Sequence, residues 1–359
     1  TVATYLAGYR LDAAAISAAL LHDIAEDTFI SIEQISDQFG SEVARLVDGV
    51  TKLKEVTRGV AKDRALTPEE VQQATLQKLL QAMTADVRVV IIKLFDRLHN
   101  MRTIHGMAPH RQRAKAEETL SVFAPLAYRL GMWNVKSELE SLSLQVLQPH
   151  VYESINAELE RLVRAQAPLF EIGREQIIEC LTENNLPVVD VRMSPENIYT
   201  VYRDLEKQDA GFRDVDRMLR ITVLLEDPIH CYTALGYIHH LWPAVPKRFD
   251  DYISVRRENL YQSLHTTLVH TDGQPIKVRL RTVDMERIAQ MGVLAKWYYA
   301  GTPLWSAGLA TRVKEFFNSI SKSISVEPTD PAAGARGAVE DVLSAVSYTH
   351  LTLPTNREV

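Results

Sequence analysis

Cysteine is almost missing. Cys180 and Cys231 are the only two among 359 residues, too few for a disulfide framework, and that scarcity points to a reducing compartment such as the cytoplasm. No apolar run reaches the roughly 20 residues that a membrane-spanning helix needs, and the opening residues lack the layout of a signal peptide. Positive charge is not in excess: 40 Lys and Arg stand against 46 Asp and Glu, a net charge of -6. That balance excludes a protein that coats DNA or an anionic membrane nonspecifically. What is present, 46% hydrophobic and 24% charged residues, is the mix of a folded chain and excludes the disordered and collagenous classes. At roughly 150 residues per domain, the length predicts two domains and a little more.

The first 150 residues read as helix after helix. Leu11 to Ala25 carries Ile16, Ala19, Leu20 and Ile24 at helical spacing, with Asp12 placed to cap its start. Ile32 to Phe39, Glu42 to Val50, Pro68 to Ala85, Val87 to Leu98 and Glu117 to Leu130 follow, and Val87 to Leu98 is apolar enough to be a buried central helix. Val2, Tyr5, Leu6 and Tyr9 are already helically spaced, so the expectation is a helix that begins before Thr1. Val151 to Thr182 reads as an amphipathic connecting helix. Short β-rich runs come next, at Pro187 to Met193, Leu219 to Leu225, Thr266 to His270 and Ile276 to Arg281, with Asp272-Gly273 as a turn. Ile198 to Gln208 and Tyr232 to Leu241 read as helices between them. The expected fold class is α+β and multidomain: an all-α domain over 1–150, a helical connection over 151–182 and a mixed-sheet domain with helices over 183–322. A Pro-, Gly- and Ala-rich linker over 323–346 and an unrelated tail over 347–359 complete the expected layout.

One run concentrates chemistry: His22-Asp23-Ile24-Ala25-Glu26-Asp27-Thr28. On an unbroken helix His22 and Glu26 share one face, and Asp23 and Asp27 share the next. One imidazole and three carboxylates so crowded repel unless a proton or a cation offsets them. A divalent ion such as Mn²⁺ or Mg²⁺ suits that donor set; the plainer alternative is a helix end with solvated acids. A second run, Ile91 to Thr103, places Asp96 and Asn100 four apart after an apolar stretch. An Asp closing a buried helix is the sort of third ligand that His22 and Asp23 lack. His99, His105 and His110 read as surface or core histidines.

Together these runs resemble the HD-type hydrolase domain of the RelA/SpoT alarmone enzymes. The resemblance continues through Asp48-Gly49-Val50-Thr51-Lys52-Leu53 and Ala124-Pro125-Leu126-Ala127-Tyr128-Arg129-Leu130-Gly131. In the second domain it is carried by Tyr199 to Arg203, Leu235 to His239 and Tyr261 to Thr267. It implies metal-dependent removal of the 3′-pyrophosphate of (p)ppGpp, giving GDP or GTP and pyrophosphate in stringent-response alarmone turnover. His22, Asp23 and Asp96 match the family's metal ligands for Mn²⁺, with Mg²⁺ as the alternative ion. Glu26 and Asp27 match its catalytic acidic pair, and Asn100 and Thr103 match positions that line the nucleotide pocket. A fourth ligand, a His, would fall before Thr1, so the 359-residue chain is expected to hydrolyse poorly. The resemblance also implies regulatory domains beyond this chain, with the ribosome or regulatory proteins as partners, and neither membrane nor DNA as a target.

The second domain resembles the family's nucleotidyltransferase-like synthetase but departs from it in charge. Ser194-Pro195-Glu196 stands where the family has Arg-x-Lys, and Asp204 where it has a Lys. Arg217 falls at its metal-binding Asp, Thr222 at a strand Arg, and Asp250 at a Lys that some active members also lack. Lys277-Val278-Arg279 replaces its Glu-x-Gln pair. Cations at acidic positions cannot hold Mg²⁺, and an anion at a lysine position repels ATP phosphates. Tyr261, Gln262 and His265 remain for weak nucleotide binding, or for packing alone. The expectation is a catalytically inactive synthetase fold kept as a scaffold or regulator of the hydrolase. A bifunctional enzyme, with Asp214, Asp216 or Asp251 as substitute acids, and a noncatalytic nucleotide-sensing module are the alternatives.

Overall fold

The computed structural model describes residues 1–62, 74–75, 78–79, 82, 86–208, 219–255, 257, 259–270, 273 and 275–298, with side chains for all of these but 26, 54–62, 207–208, 219 and 296–297. They form two compact units: Thr1–Gly8 with Asp12–Phe95, and Tyr9–Leu11 with Asp96 onward. The expected helix at Pro68 to Ala85, the linker and the tail lie outside the described residues, in whole or in most part, as do Asp214, Asp216 and Arg217.

The first unit is helical. Its helices are Val2–Gly8, Ala13–Leu21, Ile24–Asp27, Ile32–Phe39, Ser41–Lys62 and the first part of Val87–Arg102. Asp12 caps Ala13–Leu21 by accepting from the Ala15 N–H at 2.9 Å, and Ser31 and Gln34 form a reciprocal capping box at Ile32. Leu6, Leu46, Val47, Ile91, Ile92 and Phe95 are buried in this unit. Gly49 in the Asp48-to-Leu53 motif has a steric reason: a Cβ there would stand 2.8 Å from Val89 Cγ2, so only a bare backbone lets the two helices approach. The helix expected over Glu42 to Val50 runs on to Lys62.

The second unit continues the helical pattern and then adds a sheet. Pro109–Glu118 passes through a π-turn at Thr119–Phe123 into Ala124–Arg129. The wide turn falls beside Pro125, which has no N–H to place in an α-helical ladder. Gly131 sits at φ +69° against the backbone of Asn259, and Gly292 at φ +57° against that of Leu130; a Cβ at either would lie within 2.4 Å of a carbonyl oxygen. Helix Trp133–Leu147 was not read from the sequence, whereas Pro149–Glu183 agrees with the expected connecting helix.

Five strands follow: β1 Val188–Pro195, β2 Leu219–Leu225, β3 Ala244–Asp251, β4 Leu264–Val269 and β5 Pro275–Thr282. Their order is β1-β2-β5-β4-β3, parallel only between β2 and β5. The sheet is therefore mixed, as expected; β3 is the strand the sequence did not announce. Strand alternation sorts residues cleanly. Val191, Ile221, Val223, Leu225, Leu264, Leu268, Val278 and Leu280 join Ile177, Leu181, Cys231 and Ile238 of helices Pro149–Glu183 and Pro228–Leu241 in one core. The opposite face carries Arg192, Arg220, Thr222, His265, Lys277, Arg279 and Arg281, aligned across strands as Arg192–Thr222–Arg279–His265 and Arg220–Lys277.

Candidate functional site

The helix that delivers His22 ends one residue before it. Ala13–Leu21 stops, His22 and Asp23 form a turn, and the chain resumes as the single turn Ile24–Asp27. This corrects the unbroken helix expected to Ala25 and, with it, the shared faces of His22 with Glu26 and Asp23 with Asp27. The break brings His22 against its neighbour instead. His22 Nδ1 donates to the Ala19 carbonyl at 2.9 Å, and Nε2 faces Asp23 Oδ2 at 3.0 Å. The imidazole is 13% exposed and the carboxylate 49%, so one edge of the pair reaches solvent. Fixing Nδ1 on a carbonyl aims the other nitrogen, itself buried, at the Asp23 carboxylate, and anchoring one ring nitrogen in this way is the arrangement a metal-ligating histidine uses. A ring nitrogen and a carboxylate oxygen meet at this distance only around a positive charge, a proton or a cation, and the donor set fits a divalent ion.

The other residues of the constellation are placed individually. Asp27 is exposed, and Thr28 Oγ1 donates to the Ile24 carbonyl at 2.6 Å, closing the short turn. Glu26 lies in that turn. Asp96 and Asn100, four apart as expected, are joined by Asn100 Nδ2 to Asp96 Oδ1 at 2.9 Å. Thr103 is exposed with its hydroxyl on the His99 carbonyl at 3.0 Å. Arg97 lies across the Phe123 ring at 4.1 Å and binds Glu118 at 2.7 Å. Among the described residues, no three His, Cys, Asp or Glu side chains stand together as a ready ligand set. His22 and Asp23 fall in the first unit; Asp96, Asn100 and Thr103 fall in the second.

The basic face of the sheet is denser. Glu196, just beyond β1, accepts from Arg220 at 2.5 Å and lies 3.5 Å from Lys277 Nζ. It is 9% exposed and Arg220 8%. Burial raises the Glu196 carboxyl, but Arg220, Lys277 and Arg279 outweigh it and hold the group below its ordinary value. Burial, aided by Arg279, pulls Arg220 down to about 10 against the pull of Glu196. His265 is held neutral by burial and by Arg279, Arg257, Arg281 and Arg220 around it. Tyr252, Tyr261 and His265 pack edge to face, Tyr261 Oη and His265 Nε2 share a 2.7 Å hydrogen bond, and Gln262 is buried beside them in sequence. Arg281 pairs with Glu286. Asp251, one of the acids considered as a stand-in metal ligand, is engaged otherwise. It accepts from Ile253 N, Ser254 N and Ser254 Oγ at 2.7–2.9 Å and from Tyr232 at 3.0 Å, holding a turn. The partnership of Glu196 with Arg220 was missed in the sequence. The basic face itself did have a signal, in Lys277-Val278-Arg279-Leu280-Arg281, where basic and apolar residues alternate at strand period; the pair had none.

Residues 1–133 match the HD domain family, and residues 195–303 match the region found in RelA/SpoT proteins. The chain is 42% identical over 302 residues to a probable GTP pyrophosphokinase of Mycobacterium leprae, covering 83% of this chain and 37% of that one. It is 38% identical over 299 residues to the guanosine-3′,5′-bis(diphosphate) 3′-pyrophosphohydrolase of Haemophilus influenzae, at 83% and 43%. The chain belongs to the RelA/SpoT family. It joins an HD helical domain to a nucleotidyltransferase-like domain, and it spans about two fifths of the length of these two relatives. RelA/SpoT relatives carry names of both activities, the hydrolase and the pyrophosphokinase. Among the described residues, no helix is long and apolar enough to cross a membrane.

Proposed function

We propose that the helical domain hydrolyses the 3′-pyrophosphate of (p)ppGpp to GDP or GTP and pyrophosphate, and that the sheet domain is a synthetase fold without synthetase chemistry. The observation that carries the choice is the charge on β5. Lys277 and Arg279 occupy the positions at which the resemblance expects Glu and Gln, and two buried acids nearby are already committed, Glu196 to Arg220 and Lys277 and Glu286 to Arg281. A site that transfers pyrophosphate from ATP needs carboxylates for Mg²⁺, and Asp251 is held in its turn.

For hydrolysis we assign His22, Asp23 and Asp96 to a divalent ion, Mn²⁺ in our reading. Glu26 and Asp27 receive the proton of the attacking water, and Asn100 and Thr103 contact the nucleotide. When bound, the ion polarises the phosphoryl oxygen and eases ionisation of water. The chain supplies the rest: Ala19 orients the His22 ring, Asn100 orients Asp96, and a carboxylate takes the proton. In this reading the sheet domain serves the hydrolase as scaffold or regulator, the protein works in the cytoplasm, and its partners beyond the nucleotide engage through other regions. The test is chromatography of ppGpp incubated with Mn²⁺ and the protein carrying its native upstream sequence. GDP and pyrophosphate are expected, and their absence sinks the hydrolase reading. Labelled ppGpp formed from ATP and GDP by the same protein would sink the reading of the sheet domain.

A further inference from the structure

Arg279 is central in β5, with Thr222 of β2 on one side and His265 of β4 on the other. Its basic neighbours have acids of their own: Arg220 and Lys277 share Glu196, Arg281 has Glu286, and Arg192 has Asp190 at 3.3 Å. Among the described residues no carboxylate forms an ion pair with Arg279. Arg257 adds a further cation, 4.0 Å over the Tyr252 ring and 5.8 Å from that of Tyr261. Asp250, opposite His265 on β3, adds an acid to this face. Positive charge is therefore in surplus on a partly dry surface, where like charges repel more strongly than in water. An anion relieves that repulsion, as a cation relieves crowded carboxylates.

We propose that this face binds a diphosphate group, free or carried by a nucleotide, with Arg279 and Lys277 as its anchors and without a divalent metal. Two bases two residues apart on one strand stand about 7 Å apart at their backbones, a spacing that favours an anion with two charged centres over one. Arg279 offers a planar fork of donors to one phosphate. Lys277 is 36% exposed, and its 3.5 Å contact with Glu196 is long, while Arg220 holds the other Glu196 oxygen at 2.5 Å. Lys277 can thus turn to a ligand without stranding Glu196. The inference rests on the reading that β5 has exchanged metal-holding positions for bases, and it does not depend on hydrolysis.

Isothermal titration of the 359-residue chain in EDTA, with sodium pyrophosphate, GDP and guanosine as separate titrants, tests it. Pyrophosphate and GDP should bind and guanosine should not; GDP binding more tightly than pyrophosphate identifies a nucleotide as the carrier, and equal binding identifies the free group. Arg279→Gln should weaken both by about tenfold, the worth of one charged hydrogen bond. Lys277→Gln, at a more exposed position that leaves the fold intact, should weaken them by about threefold, a smaller contact of the same kind. No binding in EDTA, affinities unmoved by both variants, or guanosine binding as tightly as GDP would overturn the proposal. Formation of ppGpp from ATP and GDP in Mg²⁺, measured alongside, would remove the inactive-synthetase reading while leaving binding in EDTA to be judged by itself.

Discussion

Two places in this chain carry charge that invites a counter-ion, and the signs are opposite. At the turn after Leu21, a His22 ring nitrogen meets the Asp23 carboxylate at 3.0 Å, a contact that needs a proton or a cation between them. On the polar face of the sheet, four arginines surround His265 and Lys277 lies on the same face, with fewer acids than bases. The first is built at a helix terminus, where His22 and Asp23 are consecutive residues of a tight turn. The second is built on strands, so its residues come two apart along β5 and side by side across β2, β5 and β4. Sign, more than fold, decides which of the two domains can use a divalent ion.

The largest expected effect separates the two places by metal. His22→Ala or Asp96→Ala should lower hydrolysis of ppGpp by roughly three orders of magnitude, the scale of losing a main electrostatic stabiliser, and should leave pyrophosphate titration in EDTA unchanged. EDTA in the hydrolysis assay should act like either substitution. Hydrolysis that survives chelation, or diphosphate binding that follows His22, would erase the contrast between the domains.

Next comes the ion pair that sets the sheet face apart. Glu196→Gln leaves Arg220 buried beside other cations without its counter-charge, and one-sided removal of a buried pair costs about 3 kcal/mol. Chemical denaturation followed by circular dichroism reads this directly. The same pair predicts a pH dependence. The folded state holds Glu196 below its ordinary 4.5, so it binds that proton less readily than the unfolded chain. Its contribution is complete above about pH 4.5 and is lost as pH falls through the lower folded value. The variant should therefore lose stability less steeply in acid than the parent does.

What the sequence made legible follows physical range. Helices Ile32–Phe39 and Pro149–Glu183 and strands β2 and β5 carry their signals locally, in periodicity and caps, and the structure places them near the expected bounds. β3, Ala244–Asp251, is mostly exposed and polar, so period-two alternation could not mark it. The break at His22 was hidden because Ile24 continues the helical spacing while the backbone turns. The charge reversals at Lys277 and Arg279 were legible residue by residue. Their company was not: Arg220 and Glu196 lie 24 positions apart and meet only because β1 and β2 pair. Long-range partners of that kind have no local signature.

Gly49→Ala is a smaller, steric test of the helical domain alone. The new methyl would stand 2.8 Å from Val89 Cγ2, and overpacking of this kind costs about 1–3 kcal/mol. A melting temperature unchanged by the substitution would mean that the two helices part easily, and that the close approach is no constraint on where His22 and Asp23 are held. The sheet face should not register the change, since pyrophosphate titration reports on other strands.

The smallest effect tests how the turn at His22 is anchored. Asp12 caps the helix that ends there and also binds Arg88 Nη1 at 3.1 Å. Asp12→Ala removes both contacts and should cost about 1 kcal/mol, the usual worth of an N-cap. Asp12→Asn keeps an acceptor for the Ala15 N–H and gives up only charge, so a few tenths of a kcal/mol are expected, as for a partly exposed ion pair. Because the cap lies nearly three turns from His22, both variants should change the melting temperature and leave the rate per folded molecule alone. A fall in kcat for Asp12→Ala that Asp12→Asn restores, at a temperature where both are folded, would instead make the cap a positioning device for the imidazole. The acidic turn would then depend on its whole helix, whereas each base of the sheet face is set by the strand pairs beside it.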